Sequence, residues 1–250
     1  LNEKSLKNSR MLFEKVLNSV DQILVNRNTT KEDILNVFPF FKEKIVAHRM
    51  GASDYWKFLD VKKAKEKIFL SARGLYADNN VDLLVEAFAM VFKGRENYKL
   101  YILNGYGNDQ KTVDRVFQLI KYYDIESQII TKINEWVSDE ELLNLYKKSD
   151  FNFCIGSSDQ LSISITYGYL SKTRNILSPL HTYKELTEKG YHSHYTLPEI
   201  SLDALVNFFN TNMEVDNSLL ETDYQLANED GIFSENFKNY IIMYKNLLNN

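Results

Sequence analysis

Four short segments gather side chains that could bind or transform a ligand: Ser71-Ala72-Arg73-Gly74, Asn104-Gly105-Tyr106-Gly107, Ile133-Asn134-Glu135-Trp136 and Gly156-Ser157-Ser158-Asp159. Arg73 offers a permanently charged, bidentate donor suited to a diphosphate, or else it caps a strand at the surface. Gly105-x-Gly107 lets backbone approach a ligand closely or turn tightly, and a pair of glycines does not choose between the two. Ser157 and Ser158 can cap a helix, while free amides at the same helix start can receive a phosphate. Asp159, in the first turn of that helix, suits the helix dipole and could also accept hydrogen bonds from sugar hydroxyls.

Other chemistries find less support. His192-x-His194 has the residue type of a metal site, but on a strand the two rings alternate faces and no cysteine or carboxylate trio completes a set, so no metal is expected. There is no Gly-x-Ser-x-Gly elbow, no Walker loop and no Cys-x-x-Cys pair, which leaves hydrolase, ATPase and thiol-redox activities without local support.

The elements that must position these segments follow from apolar periodicity. Leu12, Phe13, Val16, Leu17 and Val20 recur at helical spacing, residues 22–25 read as a short strand, and Thr30 with Asp33 suggests a helix start running through Val37. Residues 44–48 form the next strand pattern, and 53–65 are polar and irregular. Strand patterns then recur at 68–72, 99–103, 128–132, 151–155, 175–178 and 193–196. Helical patterns stand between and after them, at 81–92, 108–123, 138–148 with a Ser138/Glu141 capping box, 161–170, 182–189, 201–209 and 234–248. Such alternation predicts an α/β doubly wound parallel sheet, with ligands in the crevice outside the carboxyl ends of its strands. The four chemical segments all fall there.

Composition bounds the rest. With 250 residues, 44% hydrophobic, 26% charged and a net charge of −4, the chain is globular and long enough to bury roughly three quarters of its unfolded surface. A single cysteine, Cys154, forms no internal disulfide and points to a reducing compartment, as a buried apolar residue on a strand. No run reaches the roughly 18 apolar residues of a spanning helix and no signal-peptide pattern opens the chain, so a cytoplasmic protein is expected. The mild acidity argues against nucleic acid as a partner. The basic cluster Lys62, Lys63, Lys65 and Lys67 reads as a solvated linker or as a peripheral contact with anionic lipid at the inner face of the membrane. The chain begins at Leu1 rather than Met, which suggests a processed product with part of the natural protein missing.

Taken in order, several runs resemble one family. Residues 68–88 (IFLSARGLYADNNVDLLVEAF) look like the opening of the carboxyl-terminal domain of the large retaining class of GT-B glycosyltransferases, which includes bacterial lipopolysaccharide and capsule enzymes. Residues 99–107 (KLYILNGYG) resemble its second strand and Gly loop, residues 137–150 (VSDEELLNLYKKSD) its segment before the fourth strand, and 44–51 (KIVAHRMG) the end of the preceding domain. The resemblance implies three parts: residues 1–60, the remnant of an acceptor domain and a linker; 61–230, a Rossmann-like domain binding a nucleotide-sugar; and 231–250, a helix packing back.

It further implies a UDP- or GDP-linked sugar donor as substrate, no separate cofactor, and a glycan, lipid-linked or protein acceptor. Arg73 would lie on the diphosphate with Asn79, Gly105 and Gly107 nearby. Ile133, Asn134 and Trp136 would lie beside the nucleobase, Ser158, Gln160, Leu161 and Ser162 along the sugar and phosphates, and Tyr167 at the ribose. Arg73 and Asp159 would carry catalysis. The family usually has a lysine where this chain has Asn79. It has glutamates at the positions of Asp159 and Tyr167, and a Gly-aromatic-Gly turn in place of Gln160-Leu161-Ser162. Those differences keep open a non-catalytic partner on the same fold; a nucleotide-sugar epimerase, which shares the two-domain fold, is a third reading, although residues 137–150 resemble the transferases better.

Overall fold

The computed structural model describes residues 3–103, 107–133 and 135–248, with side chains from residue 8 onward. The amino-terminal unit runs α1 (Glu3–Ser19), β1 (Ile23–Val25), α2 (Asn28–Val37), a 3-10 segment Pro39–Lys44, and β2 (Ile45–Ala47). β1 and β2 pair in parallel, with Ile23 opposite Ile45. A polar stretch holding one 3-10 turn, Asp54–Trp56, leads to the main domain.

That domain alternates β3 (Lys67–Ser71), α3 (Val81–Phe92), β4 (Tyr98–Leu103), α4 (Gln110–Tyr123), β5 (Ile129–Lys132), α5 (Asp139–Lys148), β6 (Phe151–Cys154), α6 (Ile163–Leu170), β7 (Arg174–Leu177), α7 (Lys184–Glu188), β8 (Tyr195–Thr196) and α8 (Leu202–Thr211). α9 (Asn217–Asp230) and α10 (Phe233–Leu248) close the chain. The strands form one parallel sheet in the order β5-β4-β3-β6-β7-β8. After β3 the chain winds outward through β4 and β5, then returns to place β6 on the other side of β3. The topological switch point therefore lies between β3 and β6, and the crevice opens where those strands end.

The strands are nearly all apolar because both faces of the sheet are covered. Neighbours along a strand point to opposite layers. Phe69, Phe151 and Phe153 join Phe88 and Phe92 of α3 and Phe208 and Phe209 of α8 in one core, whereas Leu70 and Cys154 join Tyr146, Tyr169 and Leu177 in the other. Cys154 is buried on its strand as expected, and burial pushes its thiol pKa up.

The sequence and the structure part company in four places. α9 has no apolar period because its buried face is Asp223, Tyr224, Ala227 and Asn228; the Asp223 carboxylate accepts from the amides of His192 and Ser193 and from the Ser193 hydroxyl. α2 starts at Asn28, not at a Thr30 cap, and Arg27 at its cap position makes no side-chain capping bond. The Glu185 carboxylate of α7 fills that role from across the molecule, accepting from the Thr29 amide at 2.5 Å and the Asn28 amide at 3.3 Å. The expected strand at 193–196 is only Tyr195–Thr196. Finally, α6 begins at Ile163 rather than Leu161, with consequences for the site.

Two of the linker lysines, Lys63 and Lys67, are tied to the main domain, while Lys62 stands in solvent with its side chain 83% exposed. Lys67 pairs with Asp150 at 3.0 Å, Lys62 with Asp60 at 3.5 Å, and the Lys63 ammonium donates to the Ser149 and Ser171 carbonyls. Among the described residues, no helix is long and apolar enough to cross a membrane.

Candidate functional site

The two strands flanking the switch point deliver the two charged candidates. Arg73 follows β3, and its Nη1 lies 3.6 Å from Oδ2 of Asp159, which follows β6. Both side chains are mostly buried, at 18% and 7% exposure, so the pair is shielded from solvent screening. Arg73 Nη2 also lies 3.5 Å from Oδ1 of Asn79, whose amide group donates to the Gly74 carbonyl at 2.7 Å. Asn79 thus orients the arginine and adds no charge.

The loops are held close enough to share a ligand. A Cβ at Gly74 would come within 2.6 Å of the Gly107 carbonyl, so glycine is what allows the loop after β3 to touch the segment after β4. A Cβ at Gly107 would in turn collide with the Tyr76 hydroxyl. Asn80, with a left-handed φ of 53°, donates to the Ile155 carbonyl at 2.8 Å, and the Ser157 amide donates to the Asp78 carbonyl at 2.7 Å. These bonds tie the ends of β3 and β6 together.

Asp159 does not sit in the first turn of α6, and Ser157 and Ser158 do not cap it. Those residues form a loop ahead of the helix, whose cap position is Ser162. The Asp159 carboxylate accepts from the Ser162 amide at 3.3 Å and from the Tyr183 hydroxyl at 2.7 Å. Burial and the adjacent carboxylate hold the Tyr183 phenol well above its ordinary pKa, keeping it a donor. Leu161 takes a left-handed φ of 62°, a sparsely populated conformation for a branched residue, and so turns the chain into α6. The Ser162 hydroxyl bonds to that of Ser164 at 2.6 Å instead of capping. No acidic side chain stands in the first turn of α6. The Asp159 carboxylate already takes the Ser162 amide at this helix start, so a phosphate arriving beside Arg73 would replace it at the α6 amides and dipole.

Two cavities flank this point. One of about 150 Å³ lies between the ends of β3 and β4 and α6, lined by Ala72, Leu103, Trp136, Val137, Tyr146 and Tyr167 among others. Tyr167 stacks on Trp56 with ring centres 3.8 Å apart and planes 10° apart, and Tyr146 meets both rings edge-on. Trp136 is 84% exposed at the rim. Ile133 packs half-buried against the first core. The other cavity, about 900 Å³, separates the amino-terminal unit from the main domain; Ser158, Asp159 and Gln160 line one wall, and Leu24, Val37 and Phe38 the other. His181 and Asp33 pair across it at 3.3 Å. Gly105 and Asn134 lie outside the described residues.

No protein-family model matches the chain, and no curated protein matches it in sequence. Solved structures do match. A glycosyltransferase from Rickettsia africae superposes with a TM-score of 0.75 at 17% identity over 95% of this chain and 67% of that one. The pneumococcal O-GlcNAc transferase GtfA, solved with UDP and GlcNAc, gives 0.73 at 16% identity over 93% of this chain and 46% of its own. Anabaena HepE, solved with UDP and glucose, gives 0.71 at 13% identity over 90% and 63%. The fold is the GT-B type. The GT-B-type chain therefore spans between about half and two thirds of the length of these structures.

Within the GT-B-type domain the structure gathers Arg73, Asn79, Asp159 and Ser162 at one point, with Gly107 touching the loop that carries Arg73. Ile133, Trp136 and Tyr167 lie around the smaller cavity or its rim, and Ser158 and Gln160 face the larger one. Leu161 acts through its backbone. Sequence reasoning missed Trp56, Tyr146 and Tyr183. Each is an aromatic residue contributed by an element that carries none of the four chemical segments, and periodicity gives no sign that it faces the site.

His194 has a structural place. Its Nδ1 bonds to the buried Tyr169 hydroxyl at 2.9 Å, and burial lowers its pKa. Among the described residues no group of His, Cys, Asp and Glu has the makings of a metal site.

Proposed function

We propose that this chain is the donor-binding part of a glycosyltransferase that moves a sugar from a nucleotide-sugar to a glycan, lipid-linked or protein acceptor, with retention of configuration. The observation that carries this is the convergence of Arg73 with the positive start of α6, between an aromatic cavity and a large open cleft. The cavity suits a nucleoside, Arg73 and the α6 amides suit a diphosphate, and the cleft leaves room for sugar and acceptor. UDP in GtfA and HepE makes UDP the first donor base to try, with GDP the alternative.

In the transfer, the bond between the anomeric carbon and the diphosphate breaks, the leaving diphosphate keeps the electron pair, and the acceptor oxygen bonds to that carbon on the same face. Arg73 and the α6 dipole would stabilise the charge developing on the diphosphate. The leaving phosphate takes the acceptor proton. Asp159 would hold a sugar hydroxyl, oriented by Tyr183. The remainder of an amino-terminal domain would complete the acceptor side. A cytoplasmic setting, with peripheral contact at the inner face of a membrane, fits a lipid-linked acceptor.

One observation favours a second reading, a partner subunit without activity: Arg73 already pairs with Asp159, and Asn79 supplies no second cation. Incubation with UDP- and GDP-sugars, with and without candidate acceptors, separates the possibilities. Transfer of label to an acceptor with the anomeric configuration of the donor supports the retaining transferase. Conversion of donor alone to an isomeric nucleotide-sugar identifies an epimerase. A folded chain that binds neither nucleotide identifies the inactive partner subunit.

A further inference from the structure

Arg27 follows β1 and is buried, with 3% of its surface exposed. Its Nη1 donates to the Thr182 carbonyl at 2.7 Å, but Nε and Nη2 are fully buried and have no hydrogen-bond partner among the described residues. Burial outweighs the nearby carboxylates and pulls its pKa down to about 10. Desolvating a guanidinium is costly unless acceptors replace the lost water, so two orphaned N–H groups call for an occupant.

Arg27 lines a small cavity of about 10 Å³ together with Asn26, Arg49, Leu161, Glu185 and Lys189. Charges around it do not balance. Arg49 and Lys189 both pair with Asp230, each at 3.3 Å, so two cations share one carboxylate. Glu185 gives its oxygens to the Asn28 and Thr29 amides. Asp159, the other carboxylate that acts on Arg27, is engaged by Arg73 and Tyr183. With Arg73 counted, four cations face the three carboxylates Asp230, Glu185 and Asp159, leaving one positive charge. The space open to the centre of a water-sized sphere is only about 10 Å³, which seats a single atom and excludes a phosphate or a carboxylate ligand.

We propose that this cavity binds one monatomic anion of the chloride class, held by Arg27 from the amino-terminal unit and by Lys189 at the rim of the main domain. The anion supplies the missing acceptor and the missing negative charge in one atom. Because Arg27 and Arg49 belong to one unit while Leu161, Glu185 and Lys189 belong to the other, its occupancy clips the two together behind the loop that carries Asp159.

Thermal unfolding of the full chain in chloride–gluconate mixtures at constant ionic strength tests this. The Tm is expected to rise by several degrees and saturate as chloride replaces gluconate, since a ligand that binds only the folded state stabilises it by mass action. Lys189→Met, at the partly exposed rim, should shift the chloride midpoint upward several-fold, and Arg27→Gln should abolish the dependence. Crystals of the wild-type chain soaked in bromide should show an anomalous peak beside Arg27, a result that does not depend on either variant folding. A wild-type Tm that is the same at all chloride fractions, meaning a water fills the cavity, overturns the proposal. So does bromide that binds elsewhere and leaves this cavity without a peak.

Discussion

At the scale of single residues, the site turns on how Asp159 and a ligand share Arg73. A carboxylate 3.6 Å from the guanidinium occupies the place a diphosphate needs, and the two anions repel. Asp159→Asn should therefore tighten nucleoside-diphosphate binding roughly 5-fold, worth about 1 kcal/mol of like-charge repulsion, while lowering transfer because the sugar hydroxyl loses its charged acceptor. Titration and rate measured on the same variant check both halves. The aromatic cavity makes a separate prediction. Tyr167→Ala removes the stack on Trp56 and should weaken UDP by roughly 3- to 10-fold, about 0.5–1.5 kcal/mol. It should leave inorganic pyrophosphate, which has no nucleoside, unaffected. Equal losses for both ligands would place Tyr167 outside the nucleoside subsite.

At the scale of elements, the interlock of α2 with α7 governs acid stability. Burial alone would raise the Glu185 carboxyl, but the amides at the start of α2 and the charge of Arg27 hold it below its ordinary range. A depressed folded pKa means this contribution is fully present above the ordinary glutamate value of about 4.3 and is lost as pH falls through the folded value. Chemical denaturation from pH 7 to 3 should show that fall, and Glu185→Gln should flatten it while costing about 1.5–3 kcal/mol at pH 7. In the main core, Phe69 meets the rings of Phe88, Phe92, Phe151 and Phe209, so Phe69→Ala should cost about 3–5 kcal/mol by denaturant unfolding.

Elements also show how far the sequence could be read. Strands β3 to β7 and helices α3, α4, α5 and α8 were legible because each buries a continuous apolar face with the period of its geometry. α9 was not, since Asp223 and Asn228 lie on its buried side. The start of α6 differs because Leu161 looks helical in type yet takes a left-handed φ, which no apolar pattern signals. Arg73 and Asp159 could be singled out from their places after strands, and Asn79 only through the family resemblance. The partners that aim them, above all Tyr183 and Trp56, come from distant elements, and their arrival at the site is a property of the fold rather than of any local pattern.

At the scale of the whole molecule, a sheet whose winding reverses between β3 and β6 puts a cation and the positive end of a helix at one point, with an aromatic cavity beside it and a 900 Å³ cleft beyond. The match to solved structures covers nearly all of this chain but only part of theirs, and the proposed nucleotide site lies within the residues that match. The central claim is that Arg73 grips a nucleoside diphosphate. Calorimetric titration of the chain with UDP and GDP, alongside Arg73→Ala, tests it most directly. Charge-assisted contacts worth about 1.5–3 kcal/mol predict saturable binding of one nucleotide that weakens roughly 10- to 100-fold in the variant. A folded chain that binds neither nucleotide, or a variant that binds as tightly as the wild type, would contradict the account.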